Sequence, residues 1–385
     1  MSERVPSALF QPRSVAVVGA SSNIDSPGHD YVKSLLAAGF SGEVYPINPR
    51  APEILGLRAY ASLSEVPGDV DLVISCIPAG GVLDLIGECR AKRVRALHLF
   101  TGRFSETGDA QAAQLELEVK RRAADAGVRV LGPNCMGVFD SSSGLSFRPD
   151  LPLAPGDVAF VSQSGNNSVE LMLHGAARGL RFSKVVSYGN ALDLDEADFF
   201  DYLADDQATR VVGAYIEGTG DGRRLLAALR RCAGAKPVVV LKGGRTGAGS
   251  RTAASHTAAL AGQRQVWGAA LRQAGAVEVA TFDELIDVMV AFAFLRTANS
   301  KQQAVNRERP AAGVVGGGGG RAVQSADVCE EAGLAVPQLP DAIRAMLREQ
   351  APALADWVGN PVDQSILAGS GVSGARVLEM MAESA

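Results

Sequence analysis

Of the four histidines in the 385-residue chain, His256 stands apart from the others. His29, His98 and His174 lie on helix- or strand-like stretches and read as structural or surface groups. His256 sits in Gly249-Ser-Arg-Thr-Ala-Ala-Ser-His-Thr-Ala-Ala-Leu-Ala-Gly262, a glycine-bounded segment of small residues. A neutral imidazole is a competent nucleophile toward a phosphoryl group near neutral pH, and small neighbours leave the ring room to reach one. That chemistry needs a group to orient the second ring nitrogen. Glu217 ends the apolar run of Ala214-Tyr-Ile-Glu-Gly218, where open parallel sheets place functional residues. The plain alternatives are a structural loop histidine and an exposed strand-end acid.

Two turns have the composition of anion sites. Ser162-Gln-Ser-Gly-Asn166 joins a strand to a helix and supplies more donors than helix capping requires, which suits Ser164, Gly165 and Asn166 to a phosphate. Gly19-Ala-Ser-Ser-Asn23 also follows a strand but does not match Gly-x-Gly-x-x-Gly. At the end of the next strand, Tyr45-Pro-Ile-Asn-Pro-Arg50, an NAD-binding unit would carry an acid for the ribose hydroxyl, and here Asn48 and Arg50 stand instead. Arg50 suits a ribose phosphate, as in NADP or coenzyme A, or else is a solvated loop residue.

Elements that could hold these residues alternate along the chain. Strands are expected at 14–18, 43–47, 70–77, 95–100 and 129–131, with helices at 29–38, 82–92 and 110–126, which predicts a doubly wound parallel sheet over residues 8–145. A second series has strands at 158–162, 183–187, 210–216 and 237–241, giving another α/β sheet over 150–297. Polar residues 298–310 read as a linker, and residues 311–385 open a third unit that looks incomplete.

Composition narrows the function. Hydrophobic residues make up 47% and charged residues 21%, an ordinary globular balance that excludes a disordered or fibrous chain. Glycine, at 43 residues, exceeds the usual ~7% and falls after apolar runs, where phosphate-binding turns occur. A net charge of −5 without a basic block gives nucleic acid no footprint. The longest apolar run, Val288 to Leu295, is too short to span a bilayer, and the N-terminus lacks a signal core, so a cytoplasmic protein is expected. The five cysteines form no pair or metal motif and read as reduced structural thiols.

Taken together, Val17-Val-Gly-Ala-Ser21, Ile47-Asn-Pro-Arg50, Gly132-Pro-Asn-Cys135, Val161-Ser-Gln-Ser-Gly165, Ser187-Tyr-Gly-Asn190, Tyr215-Ile-Glu-Gly218 and Ser255-His-Thr-Ala-Ala-Leu-Ala-Gly262 resemble the NDP-forming acyl-CoA synthetase superfamily. The likeness is to the α-type part of ADP-forming acetyl-CoA synthetases and, more distantly, to the succinyl-CoA synthetase α subunit. It implies a Rossmann-like CoA-binding domain followed by flavodoxin-like domains, the first of which carries the phosphorylated His256 oriented by Glu217. It further implies that Gly19, Ala20, Ser21, Ser22, Asn48, Arg50, Ile77, Pro78, Thr101 and Gly102 line the coenzyme A site, and that Ser164, Gly165 and Asn166 cradle the phosphoryl group. Two departures bear on the acyl pocket: Ala258 where the family often has Gly, and Arg103 within a loop commonly written Ser-Gly-Phe.

The implied reaction joins a small carboxylic acid to coenzyme A at the expense of ATP or GTP with Mg2+. The nucleotide site belongs to an ATP-grasp domain with no counterpart in these residues, so the resemblance implies a further domain or a β-type subunit and a homo- or hetero-oligomer. No membrane or nucleic-acid partner is expected. An acyl-CoA-binding regulatory module without turnover is the main alternative, and an NADP-dependent dehydrogenase a more remote one.

Overall fold

Strands buried on both faces make the framework, as expected when helices cover a parallel sheet on both sides. The structure, a computed structural model, describes residues 7–249, 251–252, 263–294, 311–350, 359–367 and 369–383. His256, Ala258 and the 298–310 segment lie outside these residues. The chain divides into two units, Met1–Arg296 and Thr297–Ala385.

The first unit begins with β1 (Ser14–Val18), α1 (Pro27–Ala37) and β2 (Glu43–Ile47), followed by a small hairpin of β3 (Glu53–Ile54) and β4 (Leu57–Arg58). Then come β5 (Leu72–Ser75), α2 (Val82–Ala91), β6 (Ala96–Leu99), α3 (Ala110–Ala126) and β7 (Arg129–Leu131). The parallel order is β2-β1-β5-β6-β7. Every residue of β1, β5 and β6 is buried. Local chemistry sets the helix ends: Ser26 accepts from the His29 amide at the start of α1, Asp109 caps α3, and Gly127 closes α3 at φ 70°.

After β7 the chain enters a second sheet through β8 (Gly137–Asp140), β9 (Pro155–Ser162), α4 (Gly165–Ala177), β10 (Phe182–Ser187), α5 (Glu196–Asp205) and β11 (Val211–Ile216). It continues with α6 (Gly222–Ala235), β12 (Val238–Lys242), α7 (Arg264–Ala274), β13 (Val277–Val279) and α8 (Phe282–Phe294). The order is β13-β12-β11-β9-β10-β8, parallel except for β8, which runs antiparallel to β10 with Phe139 opposite Val185. Residues 137–140 fall within the 8–145 span expected for the first domain, and their strand pairs with the second sheet. The apolar core joins the two sheets: Val15, Val17 and Ile74 belong to the same buried cluster as Phe160, Phe182 and Val240. Fully burying such a side chain contributes about 1.5–3 kcal/mol.

The fold is thus a Rossmann-like domain followed by a flavodoxin-like one, as the resemblance implied. The second unit holds β14 (Val315–Gly316), α9 (Gly319–Glu331), α10 (Asp341–Gln350), β15 (Val362–Asp363) and α11 (Gly374–Glu383), with β14 and β15 parallel. Leu339, Ile343, Val362 and Val377 form its own small core. Among the described residues, no helix is long and apolar enough to cross a membrane.

Candidate active site

Each sheet reverses its winding once, and a reversal opens a crevice at the C-terminal ends of the strands beside it. In the first sheet β1 lies between β2 and β5; in the second, β9 lies between β10 and β11. The two glycine turns chosen from sequence follow β1 and β9.

At the first crevice a cavity of about 360 Å³ is lined by Gly19, Ala20, Ser21, Asn48 and Ile77 together with Pro49, Ala61, Ser62, Leu63, Leu85 and Glu88. Gly19 has φ 87°, and a Cβ there would lie 3.1 Å from the Cys76 carbonyl. At Gly28, in the first turn of α1, a Cβ would lie 2.1 Å from the Gly19 oxygen. Close helix-to-turn packing, the job of the last glycine in a dinucleotide fingerprint, therefore falls to Gly28. Asn48 donates from Nδ2 to the Ala20 carbonyl at 2.7 Å, and its Oδ1 accepts from the Arg50 and Ala51 amides at 2.8 and 3.2 Å. Its amide braces the turn against the neighbouring loop.

Ser22, Arg50 and Pro78 are exposed and lie outside this cavity lining, as do Thr101 and Gly102. Thr101 donates its hydroxyl to the Ile77 carbonyl, and Gly102 abuts the side chains of Asn134 and Glu106. Arg103, exposed at φ 73°, has its amide held by Glu106. Sequence reasoning missed Ala61 to Leu63, Leu85 and Glu88, which reach the crevice from the loop after β4 and from one face of α2. No local motif marks them, because only tertiary folding brings them together.

At the second crevice Ser164 caps α4, its hydroxyl accepting from the Asn167 amide at 3.3 Å. Ser162 clasps the same turn, accepting from the Ser164 amide at 3.1 Å and donating to the Ser164 carbonyl at 2.7 Å. The first-turn amides of α4 and its dipole give this helix start an affinity for anions. A Cβ at Gly165 would lie 2.7 Å from Met136 Cγ. Asn166 is exposed and donates to Glu170 at 2.8 Å.

Across from that turn, Glu217 is 5% exposed just past β11. Gln163 Oε1 accepts from the amides of Glu217 at 2.7 Å and Gly218 at 3.1 Å, and the Tyr215 hydroxyl donates to Glu217 Oε1 at 3.1 Å. Burial pushes the Tyr215 phenol well up, with the Glu217 charge adding to the shift. Neither Gln163 nor Tyr215 was chosen as a site residue from sequence.

The loop after β7 joins the two crevices. The Asn134 amide donates to the Thr101 carbonyl at 3.0 Å, the Asn190 amide to Pro133 at 3.0 Å and the Met136 amide to Ser187 Oγ at 3.1 Å. A Cβ at Gly189 would lie 2.2 Å from the Pro133 oxygen. Asn190 Nδ2 reaches Glu106 at 2.7 Å. Gly132-Pro-Asn-Cys135 and Ser187-Tyr-Gly-Asn190 thereby hold the C-terminal edges of both sheets side by side.

This pairing of domains matches known proteins. Residues 13–140 fit the model of a CoA binding domain, and residues 155–292 that of a succinyl-CoA ligase like flavodoxin domain. The chain is 36% identical to the α subunit of acetate–CoA ligase [ADP-forming] II from Pyrococcus furiosus, over 92% of this chain and 75% of that one. The chain belongs to the ADP-forming acetate–CoA ligase family. Acetate–CoA ligase [ADP-forming] I from Archaeoglobus fulgidus is also 36% identical, but the match covers only 50% of its length against 92% of this chain. Among solved structures, acetyl-coenzyme A synthetase 1 of Candidatus Korarchaeum cryptofilum, in complex with phosphate and ADP, matches with a TM-score of 0.79 and 34% identity over 92% of this chain and 74% of that one. The chain thus corresponds to the α-type part of these ligases, spanning three quarters of the Pyrococcus α subunit and half of the longer Archaeoglobus ligase.

Proposed function

We propose that this chain supplies the coenzyme A site and the phosphohistidine of a synthetase that converts a carboxylic acid, coenzyme A and a nucleoside triphosphate into acyl-CoA, nucleoside diphosphate and phosphate. One observation carries the reading: the two sheet crevices, one beside the Gly19 turn and one between Ser164 and Glu217, are held together by the 132–136 loop. A thiol delivered from the first can thus meet a phosphoryl group handled at the second.

In the synthetic direction, a carboxylate oxygen attacks phosphorus on phosphorylated His256 and the P–N bond breaks, giving acyl phosphate and free imidazole. The coenzyme A thiolate then attacks the carbonyl carbon, and the C–O bond to phosphate breaks. Glu217 stabilises the imidazolium and orients its ring, while the Ser164–Asn166 helix start stabilises phosphate charge. Gly19, Ala20, Ser21, Ser22, Asn48, Arg50, Ile77, Pro78, Thr101 and Gly102 form the coenzyme A side. The exposed Arg50 is available to the ribose phosphate.

Phosphorylation of His256 from ATP or GTP with Mg2+ requires an ATP-grasp domain or β-type subunit. The match to a relative named as an α subunit and to a ligase of twice the matched length supports that partnership. A small acid, a cytoplasmic location and an oligomer complete the proposal.

Reconstitution tests it. Combined with an ATP-grasp partner, acid, coenzyme A and ATP, the chain should release acyl-CoA and ADP in equal amounts. Calorimetric binding of coenzyme A with no ADP released in the complete assembly would instead make the chain a binding module.

A further inference from the structure

Lys242 ends β12 beside Glu217 and is only 2% exposed. Its Nζ donates to the Glu217 carbonyl at 2.7 Å and to the Gly243 carbonyl, and lies 5.0 Å from the centre of the Trp267 ring on α7. The amine thus ties the exit of β11 to the exit of β12. The same two exits meet again where the Gly243 amide donates to the Ile216 carbonyl at 2.9 Å and where the Tyr215 hydroxyl packs against Gly243.

Burying an ammonium is costly unless a partner charge offsets it. The Glu217 carboxylate favours the Lys242 charge and Arg245 opposes it; Trp267 contributes a ring face. Around Glu217 itself stand Tyr215 on β11 and Tyr188 past β10, whose phenol also feels Glu196 and Asp195 on the α5 side. Glu196 is lifted to about 7 by burial. On the α5 side Arg224 pairs with Asp195 at 2.7 Å, and Lys242 stands at the Glu217 end of this group.

We propose that Lys242 is a positioning residue for phosphoryl transfer, its ammonium fixing the Glu217 backbone between β11 and β12. Lys242 works together with Gln163, which holds the amides of residues 217 and 218, and Tyr215, which holds the carboxylate. The inference rests on the role given to Glu217 above.

Burial pulls the Lys242 ammonium down to about 8, against the Glu217 charge, which raises it. Its proton is therefore present below that pH and lost as pH rises through it, whereas a guanidinium stays charged throughout. The test follows labelling of the purified chain by radioactive phosphate in the presence of acetyl-CoA, across pH, for wild type, Lys242→Arg and Lys242→Met. The wild-type rate should fall as pH rises through about 8, and Lys242→Arg should hold its rate above that point. Lys242→Met should be slower at every pH by roughly tenfold or more, with no inflection there.

Calorimetry of coenzyme A binding checks that each variant folds. If Lys242→Met fails to fold, the alkaline limb of Lys242→Arg decides. A Lys242→Met rate equal to wild type, or a Lys242→Arg alkaline limb that superimposes on the wild-type one, overturns the inference. His256→Asn, run alongside, separates this failure from that of the underlying reading. Label persisting in His256→Asn sinks the phosphohistidine assignment, whereas label lost there but insensitive to Lys242 sinks only the role of Lys242.

Discussion

Glu217 is held by its amide, its carbonyl and its carboxylate, through Gln163, Lys242 and Tyr215 respectively. A side chain so restrained suits the task of orienting an imidazole, because little freedom remains to be lost during the reaction. Glu217→Gln keeps the shape and removes the charge. It should slow labelling by phosphate and acetyl-CoA by roughly 10- to 100-fold while coenzyme A affinity, measured by calorimetry, stays unchanged. At this scale the sequence was readable where chemistry and position coincide: Glu217 follows an apolar strand and precedes a glycine. It was less readable where a polar side chain serves its own backbone. Asn48 does border the cavity beside the Gly19 turn, but both ends of its amide are engaged by the main chain. Gln163 and Lys242 look ordinary in sequence because their partners lie 54 and 25 residues away.

At the scale of elements, the parallel strands were legible because burial on both faces makes continuous apolar runs, and because glycine turns punctuate them. β8 was not, since a four-residue antiparallel edge strand after a loop has neither a long apolar run nor a following helix. The glycine pattern was partly misleading as well. The absence of Gly-x-Gly-x-x-Gly weakens a dinucleotide reading, yet the close approach such a motif provides is present through Gly28, which becomes visible only when α1 is packed on the Gly19 turn. Gly28→Ala would drive a methyl into the Gly19 carbonyl, backbone against backbone. It should destabilise the protein by about 1–3 kcal/mol in urea unfolding and weaken coenzyme A binding along with it.

Across the whole molecule, the two sheets of the first unit share one core, and a buried histidine lies at their seam. His98 on β6 contacts the Cys135 carbonyl at 3.1 Å, and its ring occupies the space that a side chain at residue 137 would fill. Burial pulls this imidazole down to about 4 from its ordinary 6.5. The unfolded chain therefore binds a proton that the folded chain does not, between those two values. Stability should be unaffected by His98 above about 6.5 and should fall as pH drops from there toward 4, by about 3 kcal/mol in all. Urea melts of wild type and His98→Gln across this range should show the wild-type slope reduced in the variant.

Domain order was legible from the repeated strand and helix rhythm, whereas the sharing of one core and the clasp at residues 132–136 depend on contacts between distant segments. The most direct test of the whole reading is the fate of radioactive phosphate. Incubated with acetyl-CoA and labelled phosphate, the wild-type chain should acquire acid-labile, alkali-stable label, and His256→Asn should acquire none. Acid-labile label of undiminished amount in His256→Asn would contradict the account.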